Sequence, residues 1–306
     1  MNKKKLLIDM DARPDNFLAL SLLLQSDQVE IAGISTACGY GSSYYAAQNI
    51  MGLLKTCKRQ EIPVYCGCEF PMVSTLQAGR RDKKFLEQIT GCPFRLPGLS
   101  ERQNAQSGKA SVWITQYLRG CTQKPTILLL GPATNLAVAM RMDPSITEKI
   151  ERIVMVGGAI HCSDSGMAAE HNVWTDPEAA RILFQSNVPI TLYPLDCTGA
   201  ESIQAEECAQ LCGHEGRLEK IFRYLCEMTD TRMLSAGPAL AASALVCSKD
   251  GEVRAPAYVE VAILPGVGDG DTVFDFKYIE RRGLAPNAMV VLKADRSQLR
   301  EMARVR

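Results

Sequence analysis

The 306-residue sequence has no excess of charge of either sign. Lysine and arginine together number 34, aspartate and glutamate also number 34, and the net charge at pH 7 is therefore zero with histidine counted as neutral. Proteins that hold nucleic acid or a membrane surface electrostatically usually carry a clustered basic excess. We therefore expect neither nucleic acid nor a membrane among the partners of this chain.

Long apolar runs are also missing. The run near the N-terminus, Leu6–Ile8, is too short for a signal peptide, and no segment approaches the roughly 20 apolar residues of a membrane span. The twelve cysteines, in a large chain without such a signal, are typical of free buried thiols in a reducing compartment. We expect a cytoplasmic protein.

Internal repeats, low-complexity tracts and linkers rich in Pro, Gly or Ser are absent from the sequence. Strand and helix signals alternate instead, which is typical of βαβ units. We predict a single α/β domain over residues 1–306, with an open, mainly parallel central sheet and flanking helices. Predicted strands cover 29–35, 62–65, 126–130, 153–156, 188–193, 258–263, 272–276 and 289–292. Predicted helices cover 44–57, 109–118 and 134–142, residues 204–247 are mainly helical, and residues 77–108 are the longest irregular stretch.

The stretch from Lys5 to Leu20, KLLIDMDARPDNFLAL, carries three acids within seven residues. It predicts a buried strand that ends in Asp9 and Asp11, followed by a helix that starts near Pro14, where the missing N–H of proline costs nothing. Acids at the carboxyl end of a strand lie where open α/β sheets bind their ligands. Helix capping by Asp11 or Asp15 is the simpler alternative, but three acids together favour a ligand site.

This stretch resembles the calcium-dependent, inosine-uridine-preferring nucleoside hydrolases, whose first strand ends in D-x-D-P-G-x-D-D. Further segments resemble that family in the same order along nearly the whole chain. They are VEIAGISTACGYGS at 29–42, IPVYCG at 62–67, LLGPATNLA at 129–137, MVGG at 155–158, AEHNVWTDPEAA at 169–180 and LDCT at 195–198. The resemblance implies an open α/β sheet whose site lies at the carboxyl ends of the strands.

The resemblance also implies hydrolysis of the N-glycosidic bond of a ribonucleoside or related riboside, with calcium and without an organic cofactor. By position, Asp11 resembles the general base and a metal ligand, and Asn16 and the carbonyl of Leu130 stand at two further metal positions. The residues that stand where the family binds the sugar are Asp15, Glu170, Asn172, Tyr40 and Asp164. Members of this family are commonly homodimers or homotetramers, and we expect the same here.

The departures from the family pattern concern its metal. Asn16 stands where the family has an aspartate, and Ala236–Gly237–Pro238 stands where the family has H-D-P. Residues 82–92 contain no histidine although the family's H-G-x-x-G loop should lie there. Calcium takes six to eight oxygen ligands and its affinity follows their charge. Of three carboxylates only Asp11 remains, and we do not expect a tight calcium site.

Arg13 suggests what could replace the cation, because a guanidinium is always charged and suits carboxylates. Two placements remain open. Arg13 either turns into the acidic pocket among Asp9, Asp11 and Asp15, or lies on the surface.

Two functions also remain open. The chain is either a nucleoside hydrolase with weakened or absent calcium dependence, or a catalytically silent relative that binds a riboside or polyol. A hydrolase with a shifted substrate is a further form of the first, since Tyr40 and Asp164 change the sugar contacts. The sequence by itself leaves both its activity and its base preference undecided.

Overall fold

A computed structural model describes residues 3–73, 91, 94–97, 105–165, 168–198, 201–213, 216–247, 251–264, 266, 268–277 and 279–304. Most of the predicted irregular stretch 77–108 lies outside these residues, as does all of the histidine-free segment 82–92 except Gly91. None of the helices in the described ranges has the length and apolar character needed to cross a membrane.

The strands follow the predicted order, with ends that differ by a few residues. They are β1 (Lys4–Met10), β2 (Val29–Thr36), β3 (Val64–Cys66), β4 (Thr126–Leu129), β5 (Arg152–Val156), β6 (Ile190–Tyr193), β7 (Ser202–Ile203), β8 (Leu234–Ser235), β9 (Val253–Val261), β10 (Thr272–Asp275) and β11 (Ala288–Lys293). The short pair β7 and β8 is absent from the sequence prediction. Two-residue strands carry too little pattern to be recognised.

The helices flank this sheet. They are α1 (Pro14–Gln25), α2 (Ser43–Thr56), α3 (Ala110–Gly120), α4 (Thr134–Met142), α5 (His171–Thr175), α6 (Pro177–Phe184), α7 (Leu195–Thr198), α8 (Ala205–Leu211), α9 (Gly216–Glu227), α10 (Gly237–Ser243) and α11 (Ser297–Arg304). Short 3-10 helices cover Pro144–Lys149 and Glu280–Arg282. Four of the helices, α7 to α10, lie in or beside the region predicted as mainly helical.

Nine of the described strands form one sheet in the order β10-β9-β11-β6-β5-β4-β1-β2-β3. The pairs from β3 through β11 are parallel, and β9 pairs antiparallel with both β10 and β11. The predicted mainly parallel sheet is therefore confirmed. The chain builds outward from β1 to β3 and then returns to β4 on the other side of β1, so the strand order reverses between β1 and β4. In an open α/β sheet, the crevice at such a reversal is where ligands bind.

Alternate residues of β1 enter the two layers that cover the sheet. Leu6, Ile8 and Met10 pack into one apolar cluster with the buried face of α1, and Leu7 packs into the other. Because both faces are covered, β1 reads as a continuous apolar run rather than an alternating one. Burying each such side chain contributes roughly 1.5–3 kcal/mol, which anchors the strand whose end carries the acids.

Helix α1 begins at Pro14, as predicted. Arg13, the residue before it, has ψ of 135°, because a residue that precedes proline is pushed out of the helical region. This fixes a sharp turn between the acidic end of β1 and the first turn of α1, which brings Asp15 and Asn16 back over the end of the strand.

The cysteines depart in part from expectation. All those in the described residues are free thiols, but Cys162 is exposed and several others are only half-buried. Their burial is thus less complete than the sequence suggested.

Candidate active site

Asp11 lies at the end of β1 with none of its surface exposed. Its Oδ1 accepts hydrogen bonds from the backbone N–H of Arg13 at 3.0 Å and from Asn16 Nδ2 at 2.8 Å, and its Oδ2 accepts one from the backbone N–H of Tyr40 at 2.9 Å. Burial raises the pKa of Asp11 to about 6, and nearby Arg13 opposes the rise. An ionised carboxylate can accept about four hydrogen bonds, so Oδ2 keeps capacity for one more donor.

Asp9 makes its hydrogen bonds to the neighbouring strand and helix and serves the fold. Its Oδ1 accepts hydrogen bonds from Ser35 Oγ and Asn135 Nδ2, both at 2.9 Å. Burial raises the pKa of Asp9 to about 7. Asp9 thereby ties β1 to β2 and to the first turn of α4.

Asn16 lies between two oxygens that the sequence placed at metal positions. Its Nδ2 donates to Asp11 Oδ1 at 2.8 Å and to the carbonyl oxygen of Leu130 at 2.9 Å. Leu130 directly follows β4, so this amide bridges the ends of the two strands at which the sheet order reverses. Each of its hydrogens points at an oxygen that a cation would need.

Arg13 lies in the pocket, with 31% of its side chain exposed. Its Nε is 3.9 Å from Asp15 Oδ1 and its Nη1 is 3.5 Å from Asp164 Oδ2. The acids around the pocket hold the pKa of Arg13 above its ordinary value, against the effect of burial. The guanidinium thus faces Asp15 and Asp164, whereas Asp9 faces Ser35 and Asn135.

Glu170 forms the opposite wall as the N-cap of α5. It accepts hydrogen bonds from the backbone N–H groups of Asn172 at 2.9 Å, Val173 at 3.2 Å and Gly158 at 2.9 Å. Burial, and then the charge of Asp164, raise the pKa of Glu170, although the three N–H donors favour its charged form. Asp164 is held in place by the backbone N–H of His171, which donates to its Oδ1 at 2.8 Å.

Two buried side-chain oxygens at this site accept no hydrogen bond from the described residues. They are Asp15 Oδ1 and Asn172 Oδ1. Asn172 is fixed by its Nδ2, which donates to the carbonyl of Val156 at 3.0 Å. Because a buried acceptor without a donor costs free energy, this pair indicates a ligand that brings hydroxyl or amine hydrogens.

These residues surround a cavity of about 600 Å³. The residues predicted for the site that line it are Arg13, Asp15, Asn16, Tyr40, Leu130, Asp164, Glu170 and Asn172. Asp11 does not line the cavity. It lies behind Asn16, which lines the cavity and donates a hydrogen bond to Asp11. The structure therefore gathers side chains that are far apart in the sequence at the carboxyl ends of β1, β4 and β5.

Sequence reasoning missed one wall of the cavity. It is formed by residues of α7, β7, the turn after α9, β8 and the start of α10. The polar residues and the proline among them are Thr198, Ser202, Thr229, Asp230, Thr231, Ser235 and Pro238. Five hydroxyl side chains lie on this wall beside five apolar ones, which are Leu195, Met228, Met233, Leu234 and Pro238. Scattered Ser and Thr residues carry no periodic signal, so only the tertiary structure brings them together.

The donor set does not fit a calcium ion. Of positions 11, 16 and 237, where the family has metal-binding carboxylates, only position 11 carries one here. The Asn16 amide directs its hydrogens, rather than an oxygen, toward Asp11 Oδ1 and the Leu130 carbonyl. Within the described ranges, no group of three or more His, Cys, Asp or Glu residues is arranged to hold a metal ion. Calcium requires several hard oxygen ligands, and the residues present here do not supply them.

Comparison with known proteins agrees with the fold and the order of the motifs. The chain is 34% identical over 204 residues to the pyrimidine-specific ribonucleoside hydrolase RihA of Salmonella enteritidis. This alignment covers 66% of this chain and 63% of that protein. The chain thus spans slightly less than two thirds of the curated relatives that it matches.

Solved structures extend the likeness over the full length. A plant nucleoside hydrolase superposes with a TM-score of 0.83 at 24% identity, and an inosine-guanosine nucleoside hydrolase superposes with 0.85 at 22%. Both alignments cover 99% of this chain and 98% of the other. The model of the inosine-uridine preferring nucleoside hydrolase family matches residues 6–301. The chain therefore belongs to the inosine-uridine preferring nucleoside hydrolase family.

Proposed function

We propose that this protein hydrolyses the N-glycosidic bond of ribonucleosides in the cavity at the ends of β1, β4 and β5. The observation that carries the proposal is the pair of buried oxygens that accept no hydrogen bond, Asp15 Oδ1, which has Arg13 Nε as an ion-pair partner at 3.9 Å, and Asn172 Oδ1. A ribose offers neighbouring hydroxyl groups as donors, and its binding would satisfy both. Glu170, Asp164 and Tyr40 line the same cavity and complete the proposed sugar contacts.

The proposed reaction uses water as the second substrate. The water oxygen attacks C1 of the ribose while the bond from C1 to the base nitrogen breaks, and the sugar passes through an oxocarbenium-like state. Asp11, which lies directly behind Asn16 in the cavity wall, takes one proton of the water at Oδ2, the oxygen with capacity for one more donor. The other proton stays on the new hydroxyl group at C1. The base nitrogen takes a proton from solvent, to which Asp11 afterwards returns its own. The pKa of Asp11, about 6, lies near neutral pH, where a general base works best. Carboxylates around the ring stabilise the positive charge that develops on it.

The proposal leaves the base open. The relatives are described as pyrimidine-specific, inosine-guanosine and purine-preferring hydrolases, so nucleoside cleavage is common to them and the base is not. We place the base against the wall formed by α7, β7, the turn after α9, β8 and the start of α10, which offers both hydroxyl and apolar side chains. We assign no step to calcium, because the donor set does not fit it.

A sugar-release assay over a panel of purine and pyrimidine ribonucleosides tests the proposal. We expect turnover by the wild-type chain and a loss of at least about 100-fold in Asp11→Asn, in line with removal of a general base. Asp27→Asn, an exposed acid, serves as the matched control and should retain full activity. Calorimetric titration with the same nucleosides completes the test. Binding without turnover would contradict the hydrolase proposal and favour a silent binding protein.

We further propose a homodimer or homotetramer in the cytoplasm. Free thiols throughout the described cysteines support a reducing compartment, and family resemblance supports the assembly. Light scattering after size-exclusion chromatography measures the assembly, and a monomer at micromolar concentration would contradict it.

A further inference from the structure

The Asn16 amide occupies the one place where Asp11 and the carbonyl of Leu130 could share a cation. Its nitrogen lies 2.8 Å from Asp11 Oδ1 and 2.9 Å from the Leu130 oxygen. These are normal hydrogen-bond lengths, and both bonds are buried. One amide group therefore fixes the same two oxygens that a metal would otherwise hold together.

Position 237, where the family has its third metal-binding carboxylate, is closed by packing. Gly237 begins α10, and a Cβ built on it would lie 2.3 Å from Thr198 Cβ and 2.9 Å from Thr198 Cγ2. Contacts this short are not tolerated without movement. An aspartate at position 237 would therefore clash with Thr198. Restoring this metal ligand would require a change at position 198 as well.

Positive charge is supplied next to this amide by the chain itself. The Arg13 guanidinium lies 3.9 Å from Asp15 and 3.5 Å from Asp164, on the cavity side of the same turn. A guanidinium keeps its charge at every physiological pH. Asn16 thus provides the geometry that a cation gives to Asp11, and Arg13 provides charge among the acids of the pocket.

We propose that Asn16 is a positioning residue which, with Arg13, replaces the divalent cation, so that this site binds no calcium. The inference deepens the proposed function, since it concerns the same cavity. Its test does not depend on turnover. If no nucleoside is cleaved, the proposed function fails while the measurement of metal binding still stands.

Equilibrium dialysis with radioactive calcium, in the absence of any nucleoside, tests the proposal on the full chain. For the wild type we expect no saturable binding up to millimolar calcium. Asn16→Asp restores a second carboxylate beside Asp11, and because calcium affinity follows ligand charge, we expect binding at least tenfold tighter than in the wild type. Terbium luminescence gives an independent readout of the same site.

The double variant Asp11→Asn with Asn16→Asp is the matched control. It has the net charge of the wild type and again one carboxylate, so it should bind calcium no better than the wild type. Micromolar calcium binding by the wild type, or equal binding by Asn16→Asp and the double variant, would overturn the proposal. If circular dichroism shows that Asn16→Asp does not fold, the wild-type titration decides alone: saturable binding refutes the proposal and its absence supports it.

Discussion

The side-chain nitrogen of Asn16 and the Oδ1 of Asp11 meet at 2.8 Å, and both residues are buried. Replacing Asn16 by Ala leaves the Leu130 carbonyl without this donor and removes one of the three hydrogen bonds to the Asp11 carboxylate. A buried polar group that loses its partner costs about 1–3 kcal/mol. We expect that decrease in the free energy of unfolding from urea titration. The exposed Gln28→Ala should change it by less than about 0.5 kcal/mol, and an equally small change in Asn16→Ala would show that the bridge is not structural.

Arg13 separates Asp15 from Asp164 at neutral pH. Arg13→Met keeps most of the side-chain volume and removes the charge, so these acids would repel each other without an intervening cation. Because a third of the side chain is exposed, solvent weakens the effect, and we expect a loss of about 1–2 kcal/mol in the free energy of unfolding at pH 7. Arg13→Lys retains the charge and should recover at least half of the loss. Equal losses in both variants would point to packing rather than charge.

His171 makes the fold sensitive to acid. Burial, and then the charge of Arg13, lower the pKa of His171 below its ordinary 6.5, while Asp164 opposes this. Below pH 6.5 the unfolded chain therefore binds more protons than the folded one, and stability falls as the pH falls through this range. Replacing His171 by Phe should remove roughly 1–3 kcal/mol of the loss in unfolding free energy between pH 7 and pH 4.5.

Urea titrations across that pH range measure the effect of His171. His161→Phe, at an exposed position, is the matched control for replacing a histidine by phenylalanine. A His171→Phe variant that loses stability as steeply as the wild type would assign the acid sensitivity to other groups.

Gly67 packs where no side chain fits. A Cβ at this position would lie 2.1 Å from the Thr36 carbonyl oxygen and 2.2 Å from Asn135 Oδ1, and Asn135 holds Asp9. We expect Gly67→Ala to lower the free energy of unfolding by about 3 kcal/mol. Gly120→Ala, at the end of α3, meets no atom within 4 Å and should be neutral or stabilising by up to about 1 kcal/mol. Thermal and urea unfolding of the pair distinguish steric conflict from a general effect of removing glycine.

Tyr40 contributes to the site in two separable ways. Its backbone N–H holds Asp11 Oδ2 at 2.9 Å, and its ring lines the cavity and packs against Phe94 at 6.3 Å between centroids. Tyr40→Ala keeps the first and removes the second. We expect KM for the nucleosides to rise roughly tenfold, equivalent to about 1.4 kcal/mol, with kcat within a factor of about three. Tyr44→Ala, which removes a partly exposed ring outside the cavity, is the control, and a large fall in kcat with unchanged KM would contradict this assignment.

The strand and helix order could be read from the sequence because the parallel strands are buried on both faces and appear as apolar runs. Thr134–Met142 was predicted with the bounds that the structure has. The sequence Asp176–Pro177–Glu178 also predicts a helix start, with Asp176 as the cap and Pro177 at the first position. In the structure, Asp176 accepts the backbone N–H of Ala179 at 3.1 Å, as an N-cap should. Antiparallel β9 was predicted five residues too short at its start, since residues 253–256 are exposed or only half-buried and give a weaker apolar signal.

The local sequence by itself determined the acidic turn of residues 9–16. The apolar run Leu6–Ile8 predicts a buried strand, and Pro14 is favoured at the first position of a helix. The short turn between the two brings Asp11, Asp15 and Asn16 near one another. Their family resemblance also identified Leu130, Glu170 and Asn172 as neighbours of the site.

Only the tertiary structure decided what each of these groups contacts. Asn16 became a bridge between Asp11 and Leu130, and Arg13 became the partner of Asp15 and Asp164. A wall of mixed hydroxyl and apolar side chains closed the cavity. Hydrogen bonds and ion pairs depend on differences of a few tenths of an ångström in the distance between two atoms. The residues that carry these atoms lie as far as 151 positions apart in the sequence. Those distances are set by how the strands and helices pack, and no local pattern in the sequence encodes them.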